Sequence, residues 1–188
     1  MSVVFDASIL IDLFYPRTPE ERKLRLDHLV EELQQQRTVI LIPTPALAEF
    51  LVKAGPARDE YLSRIETSKT MRIVSFGKRA AVEYSIAIDA ALRSGDKRRG
   101  SKSIWSKVKF DHQIVCIAVG EGAKTIYTED GDIQAFGKQF GISTIKTLDL
   151  PLPASAAQGR LQLEPQEPPR RINVRHGNGL DESSTPDP

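Results

Sequence analysis

The segment Ser2-Val3-Val4-Phe5-Asp6-Ala7-Ser8 indicates the fold class of this chain. An apolar run without polar alternation is typical of a strand buried on both faces, as the central strands of a parallel sheet are. We predict a strand over residues 2–5, so that Asp6 is the first residue past its end. In open α/β sheets, ligands bind beyond the carboxyl ends of the strands, and we therefore look for function there.

Further apolar runs recur along the chain and alternate with helical patterns. This alternation predicts an α/β fold with a central, mostly parallel sheet of about five strands and right-handed crossovers. The predicted strands are residues 2–5, 38–42, 71–76, 125–128 and 143–146, and the predicted helices are 20–36, 45–53, 57–68, 78–93, 105–121 and 133–139.

The composition of the chain changes near residue 150. Seven of the 12 prolines lie in residues 151–188, and that segment has no aromatic residue. Because proline removes backbone donors and the segment offers little apolar surface to bury, we predict a disordered tail there. The globular domain is expected over residues 1–150.

Several classes of protein are disfavoured by the composition. The single cysteine, Cys116, excludes an internal disulfide, and no Cys or His spacing fits a zinc site. The longest apolar runs are far shorter than the roughly 20 residues of a membrane helix, and no basic region of a signal peptide precedes the first one. A net charge of +1 disfavours coating of nucleic acid by bulk charge. We expect a cytoplasmic protein that does not bind membranes.

Two further acids follow predicted strands. Asp130 comes just past the strand 125–128, in the same position relative to its strand as Asp6, and Asp132 follows two residues later. A turn or a helix cap is the alternative role for each of these acids. Glu49 is the sole acid of an apolar helix after the second strand, so we expect it to be buried, with a narrow solvent-facing stripe as the alternative.

Asp111 is the acid with the clearest structural signal. Ile114, Val115 and Ala118 follow it at i+3, i+4 and i+7, which places Asp111 on the core-facing stripe of its helix. The next residue, His112, is expected to face solvent. A buried acid is costly unless it is paired or bound to a cation.

Together these acids predict a metal site. They come from separate segments but converge on one edge of the sheet, where like charges repel unless a cation neutralises them. Oxygen ligands without Cys or His favour Mg²⁺ or Mn²⁺, which also bind phosphate oxygens. Such ions support phosphodiester hydrolysis by activating water and stabilising the leaving oxygen.

The chain resembles the PIN-domain nucleases, especially the VapC-type toxin ribonucleases of toxin–antitoxin modules. The similarity covers residues 1 to about 147. Its motifs are Val-Val-Phe-Asp6-Ala-Ser8, Pro-x-x-x-x-x-Glu49, Asp111-x-x-Ile-Val-x-x-Ala118 and Thr128-Glu-Asp130-Gly-Asp132. The resemblance implies a three-layer α/β/α fold and cleavage of single-stranded RNA that leaves a 5′-phosphate and a 3′-hydroxyl. A homodimer and an antitoxin partner are further expectations from it.

The resemblance also implies roles for individual residues. Asp6, Glu49, Asp111 and Asp130 correspond to the acidic quartet that holds Mg²⁺ or Mn²⁺ and carries catalysis. Asp132 corresponds to a more variable fifth metal-binding carboxylate. Ser8 and Thr128 correspond to hydroxyl groups beside the first and last acids.

A basic, flexible loop precedes Asp111. Residues 94–109 contain six basic residues and one acid, with Gly and Ser between them. Basic side chains beside a metal site can neutralise the phosphates of a strand, and Trp105 could stack on a base or lie in the core. The residues predicted to contact RNA are Lys97, Arg98, Arg99, Lys102 and Lys107.

Two other functions remain open from the sequence. A phosphotransfer domain would use Asp6 as the phosphoryl acceptor. It would favour a second acid close to Asp6 and a lysine after a later strand, and neither stands out. A non-catalytic binding module could keep the fold and bind a partner through its acids.

Overall fold

A computed structural model describes residues 1–98, 100–154 and 156 of the chain. Five strands form one parallel sheet in the order β3-β2-β1-β4-β5, which confirms the predicted α/β class. The strands are β1 (Ser2–Phe5), β2 (Val39–Pro43), β3 (Met71–Val74), β4 (Thr125–Tyr127) and β5 (Ser143–Ile145). The helices are α1 (Ala7–Phe14), α2 (Glu20–Gln35), α3 (Thr44–Ala54), α4 (Arg58–Glu66), α5 (Lys78–Arg93), α6 (Trp105–Gly120) and α7 (Gly131–Gln139), with short 3₁₀ turns at Gly55–Ala57 and Thr147–Asp149.

The helices cover both faces of the sheet, so the predicted three-layer arrangement is confirmed. Successive strand residues point to opposite faces. Val4 therefore packs into a core with α5, α6 and α7, whereas Val3 and Phe5 pack into a second core with α1 to α4. Burial on both faces explains why β1, β2 and β4 have near-continuous apolar sequences, whereas β3 and β5 at the edges of the sheet do not.

The packing of α6 against α5 is unusually close at Gly120. A Cβ atom at this position would lie 3.2 Å from the backbone nitrogen of Ala80. Glycine at the end of α6 thus allows the two helices to approach. This contact anchors the helix that carries Asp111.

The strand order places a crevice between β1 and β4. The chain builds outward from β1 to β2 and β3, and then crosses back to add β4 and β5 on the other side. The carboxyl ends of β1 and β4 therefore flank the switch point at which α/β sheets bind ligands. Asp6 follows β1, and Asp130 lies three residues beyond β4.

The predicted tail, residues 151–188, lies almost wholly outside the described residues, and the division of the chain into domain and tail stays a prediction. Within residues 1–98, 100–154 and 156, no helix is long and apolar enough to span a membrane.

Candidate metal centre

Asp6 is held at the end of β1 by two hydroxyl groups. Its Oδ2 atom accepts hydrogen bonds from Ser8 Oγ (3.0 Å) and Thr128 Oγ1 (2.9 Å). The residue is only 5% exposed. Burial raises the pKa of Asp6 above its usual value, although these hydrogen bonds act in the opposite direction, and the negative charge of Glu49 raises it further.

Thr128 joins the ends of the two central strands. Its hydroxyl donates to Asp6 and accepts a hydrogen bond from the backbone nitrogen of Asp130 (2.9 Å). Asp130 Oδ1 caps α7 by accepting from the nitrogens of Asp132 (2.7 Å) and Ile133 (3.3 Å). Because one oxygen is used as a cap, the other, Oδ2, faces the crevice in a fixed direction.

Asp111 lies beside these strand-end acids, on the buried side of α6. It is 6% exposed, which confirms the core-facing position predicted from its spacing. Carboxylate oxygens of Asp111, Asp130 and Asp132 lie within 4.8 Å of one another. Burial raises the pKa of Asp111 to about 6; the charges of Asp130 and Asp132 add to the rise, and Lys107 counteracts it.

The ammonium group of Lys107 lies among these three carboxylates. Lys107 Nζ is 2.8 Å from Asp111 Oδ2, 2.6 Å from Asp130 Oδ2 and 3.5 Å from Asp132 Oδ2. Burial lowers the pKa of Lys107, but the hydrogen bonds and charges of the acids outweigh it and hold the pKa above its usual value. A residue predicted to contact RNA thus contacts the acids in this structure.

Glu49 lies on the same crevice but is exposed, so the expectation that it is buried was wrong. The outer side of α3 is covered less than the apolar sequence of the helix suggested. Val52, one turn further along, is 71% exposed. Glu49 nevertheless lines one cavity of about 670 Å³ together with Asp6, Asp111 and Asp130. The structure therefore brings together the four acids of the predicted quartet around one crevice.

The basic loop borders the acids on their other side. Ser103 Oγ donates to Asp132 Oδ2 (2.6 Å) and lowers the pKa of Asp132. Arg98 lines a cavity of about 130 Å³ with Asp111 and Asp132. Lys97, Arg98 and Lys102 are exposed, and Arg99 lies outside the described residues.

Several aromatic side chains lie near the acids, and the prediction for one of them, His112, was wrong. His112, predicted to face solvent, is 3% exposed, because its ring stacks on Phe136 of α7 with centroids 3.7 Å apart. Trp105 packs edge-on against His112, and Lys97 lies over its ring at 5.5 Å. Phe110 is 56% exposed and lines the large cavity. Its exposure has no signature in the sequence, because its helix is apolar on several sides.

A second charged network also escaped sequence reasoning. Arg22 of α2 donates from Nε to Asp12 Oδ2 (2.9 Å) and from Nη2 to Glu129 Oε1 (2.7 Å). The same Glu129 oxygen accepts from the backbone nitrogen of Thr147 (2.9 Å). The separations along the chain, 10 and 107 residues, left no local pattern to detect.

The donor set fits a divalent metal ion. It consists of carboxylate oxygens, the ligands of Mg²⁺ and Mn²⁺, and contains no Cys or His. A cationic group, the Lys107 ammonium, already lies at the point that three of these carboxylates face. Asp111, Asp130 and Asp132 could hold an ion there, with Asp6 and Glu49 on the adjoining wall.

Comparisons with known proteins place the fold. A scan against models of protein families gives no match, and neither does a search of curated protein sequences. Solved structures of VapBC complexes are similar. A chain of VapBC2 from Rickettsia felis, bound to a DNA fragment from the promoter, matches with a TM-score of 0.55 and 17% identity over 78% of this chain and 98% of that one.

Two further complexes give the same result. A chain of VapBC-1 from nontypeable Haemophilus influenzae matches with a TM-score of 0.52 and 16% identity, covering 79% of this chain and 99% of its own length. DNA-bound VapBC from Salmonella typhimurium matches with a TM-score of 0.50 and 16% identity, over 78% of this chain and 98% of that chain. The chain thus has the PIN-like fold of the VapC toxins, as its sequence motifs suggested.

Proposed function

We propose that the protein is a PIN-type endoribonuclease that uses Mg²⁺ or Mn²⁺ to hydrolyse phosphodiesters of single-stranded RNA. The observation that carries this proposal is the convergence of Asp111, Asp130 and Asp132, with oxygens within 4.8 Å of one another, at the switch point of the sheet. Asp6 and Glu49 line the same crevice and complete the set of metal-binding acids.

The residues around the crevice have distinct tasks. A divalent ion bound by the acids supplies neutralisation of phosphate charge and activation of water. Ser8 and Thr128 hold the Asp6 carboxylate in one orientation through its Oδ2 atom. The α7 cap leaves only one oxygen of Asp130 free to bind a ligand. Because the acids are oriented before a ligand arrives, little reorganisation is needed during the reaction.

The shape and charge of the surroundings favour an unpaired strand. Apolar residues, including Val52 of α3 and Phe110 of α6, line the crevice together with the acids. An exposed aromatic ring can stack on a base that is not held in a duplex. Arg98 lies beside Asp111 and Asp132 in a second cavity, and we propose that the basic residues of this loop neutralise flanking phosphates.

A toxin role is the biological setting that the fold favours. The similar solved structures are VapBC complexes. We propose that this chain acts in the cytoplasm as the nuclease of such a module, that it pairs with an antitoxin and that it forms a homodimer. Co-expression with the product of a small neighbouring reading frame should yield a complex in which RNA cleavage is suppressed.

The decisive experiment compares the wild type with Asp111→Asn on total RNA and on single-stranded DNA. We expect the wild type to cut RNA with Mg²⁺ or Mn²⁺ and to stop in EDTA. The products should carry 5′-phosphate and 3′-hydroxyl ends. Loss of a centrally placed metal-binding carboxylate should reduce the rate by about 100-fold or more.

Asp59→Asn is the matched control, because Asp59 is an exposed acid of α4 that does not line the crevice. It should cut RNA at the wild-type rate. Cleavage that survives both EDTA and Asp111→Asn would exclude the proposed metal mechanism. A folded wild type that cuts no RNA while binding it would favour the non-catalytic alternative.

A further inference from the structure

Lys107 contacts the acidic centre in a way that an ordinary surface lysine does not. Its ammonium group lies within 3.5 Å of one oxygen from each of three carboxylates. Only Asp111 is on the same helix, four residues further along α6. Asp130 and Asp132 come from the far side of the crevice, at the start of α7.

Two of the three carboxylates around Lys107 are positioned by other groups. Asp130 is oriented by the backbone nitrogens of α7, and Asp132 accepts a hydrogen bond from Ser103 (2.6 Å). The ammonium group of Lys107 hydrogen-bonds to the three acids, at the end of a side chain that is 42% exposed. Its ammonium group can therefore leave while Asp130 and Asp132 keep the partners that orient them.

The ammonium group and a divalent ion cannot share this position. Mg²⁺ binds oxygen at about 2.0–2.1 Å, so an ion among the three carboxylates would take the space and the oxygen lone pairs that Lys107 uses. Two cations at that distance would also repel each other strongly in a partly buried site. Either the lysine or the metal ion is bound at any moment.

We propose that Lys107 is the resident cation of the metal centre and that a divalent ion binds by displacing its ammonium group from Asp111, Asp130 and Asp132. This inference rests on the proposed metal centre but not on nuclease activity. It assigns Lys107 a role in setting the metal affinity of the protein, in addition to the RNA contact predicted from the sequence.

The exchange has a measurable consequence for metal affinity. The apparent affinity for metal equals the intrinsic affinity multiplied by the fraction of molecules in which Lys107 is not bound to the acids. Lys107→Met keeps the apolar stem but removes the competing charge. We expect this variant to bind Mn²⁺ about tenfold or more tightly than the wild type, measured by isothermal titration calorimetry on the full chain.

Two controls separate competition from general electrostatics. Lys109→Met removes one positive charge from the same helix, at an exposed residue that does not line the crevice. The Mn²⁺ affinity of this variant should stay within about twofold of the wild type. Lys107→Arg keeps a cation at the same position and should not tighten metal binding.

Thermal unfolding gives a readout that does not involve catalysis. In EDTA, Lys107→Met leaves three carboxylates facing one another without a counter-charge, so its midpoint should fall by about 2–4 °C. With saturating Mn²⁺, the unfolding midpoint of Lys107→Met should equal or exceed that of the wild type. Lys109→Met should show neither effect.

The result that overturns the inference is clear. If Lys107→Met binds Mn²⁺ no more tightly than a wild type that does bind it, Lys107 does not compete with a metal ion; if neither protein binds Mn²⁺ or Mg²⁺, the metal centre itself is excluded. The proposed function fails by a different result, a metal-bound wild type that cuts no RNA. If Lys107→Met does not fold, Lys107→Gln replaces it in the same measurements.

Discussion

Glu129 and Asp130 are neighbours in the chain and line the same cavity, yet they enter two different charged networks. Glu129 is bound by Arg22 and by the backbone nitrogen of Thr147. Asp130 turns into the crevice, where it shares Lys107 with Asp111 and Asp132. Each network has one basic side chain at its centre, but Arg22 contacts two carboxylates and Lys107 contacts three.

In the network of Arg22, both carboxylates accept hydrogen bonds from the guanidinium group. One planar guanidinium serves two carboxylates: Nε and Nη2 both donate to Asp12 Oδ2, and Nη2 also donates to Glu129 Oε1. Burial by itself raises the pKa of Glu129, but the hydrogen bonds from Thr147 and the charge of Arg22 outweigh it and lower the pKa. The charged form of Glu129 is therefore favoured by folding.

The network of Lys107 is unbalanced. Three carboxylates face one ammonium group, with Asp6 and Glu49 on the adjoining wall. The pKa of Asp111 is raised to about 6, so its charged form is disfavoured by folding. The difference indicates that the first network stabilises the fold, whereas the second holds like charges that a divalent ion in place of Lys107 would neutralise more fully.

The largest expected effect on stability comes from breaking the network of Arg22. Arg22→Met leaves Asp12 and Glu129 without their counter-charge in a partly buried place, and should lower the free energy of unfolding by about 2–3 kcal/mol. Denaturant unfolding measures the change. Arg93→Met removes a highly exposed ion pair with Asp89 and should cost less than about 0.5 kcal/mol. Equal losses in the two variants would contradict the comparison.

Neutralising one acid in each network should change the free energy of unfolding in opposite directions. In EDTA, Glu129→Gln should lower the free energy of unfolding by about 1 kcal/mol, because a favoured charge is lost. Asp111→Asn should raise it by about 1 kcal/mol, because a buried like-charge repulsion is removed. Chemical denaturation of both variants tests this. If Asp111→Asn is destabilised as well, the acidic centre is a structural element like its neighbour.

The smallest expected effect concerns the loop beside the acidic centre. Replacing Lys97, Arg98 and Arg99 by Gln should weaken binding of single-stranded RNA about fivefold and reduce the slope of log affinity against log salt by about 2. Fluorescence anisotropy at several salt concentrations measures both. The matched control changes Arg37, Lys69 and Lys124 to Gln, since these exposed residues lie at the amino ends of the strands. An equal loss of slope in the control would mean that RNA binds without regard to the loop.

The fold and most of the acidic residues could be predicted from the sequence. Strand β1 and helix α5 have the predicted bounds, because a doubly buried strand and an amphipathic helix leave strong local patterns. The buried position of Asp111 followed from its spacing to Ile114, Val115 and Ala118. Asp6 and Asp130 followed from the rule that parallel strands end at one edge of the sheet.

Other features had no local pattern. The exposure of Glu49 depends on what covers α3, and the burial of His112 depends on Phe136 from α7. Likewise, the position of Lys107 could not be read from its surroundings in the chain, which suggested a solvated basic loop. Each of these properties arises from elements that are distant in sequence.

The sequence by itself determined the α/β class, the order of the five strands and of helices α2 to α7, and the set of acids that could hold a cation; helix α1 was not predicted. Those properties depend on backbone periodicity and burial, which are written into short stretches of residues. Only the tertiary structure decided that Lys107 lies on the acids, that Arg22 joins Asp12 to Glu129, and that two neighbouring acids enter networks of different charge balance. Electrostatic pairing depends on distances of a few ångströms between segments far apart in the chain, and only the packed sheet and its helices set those distances.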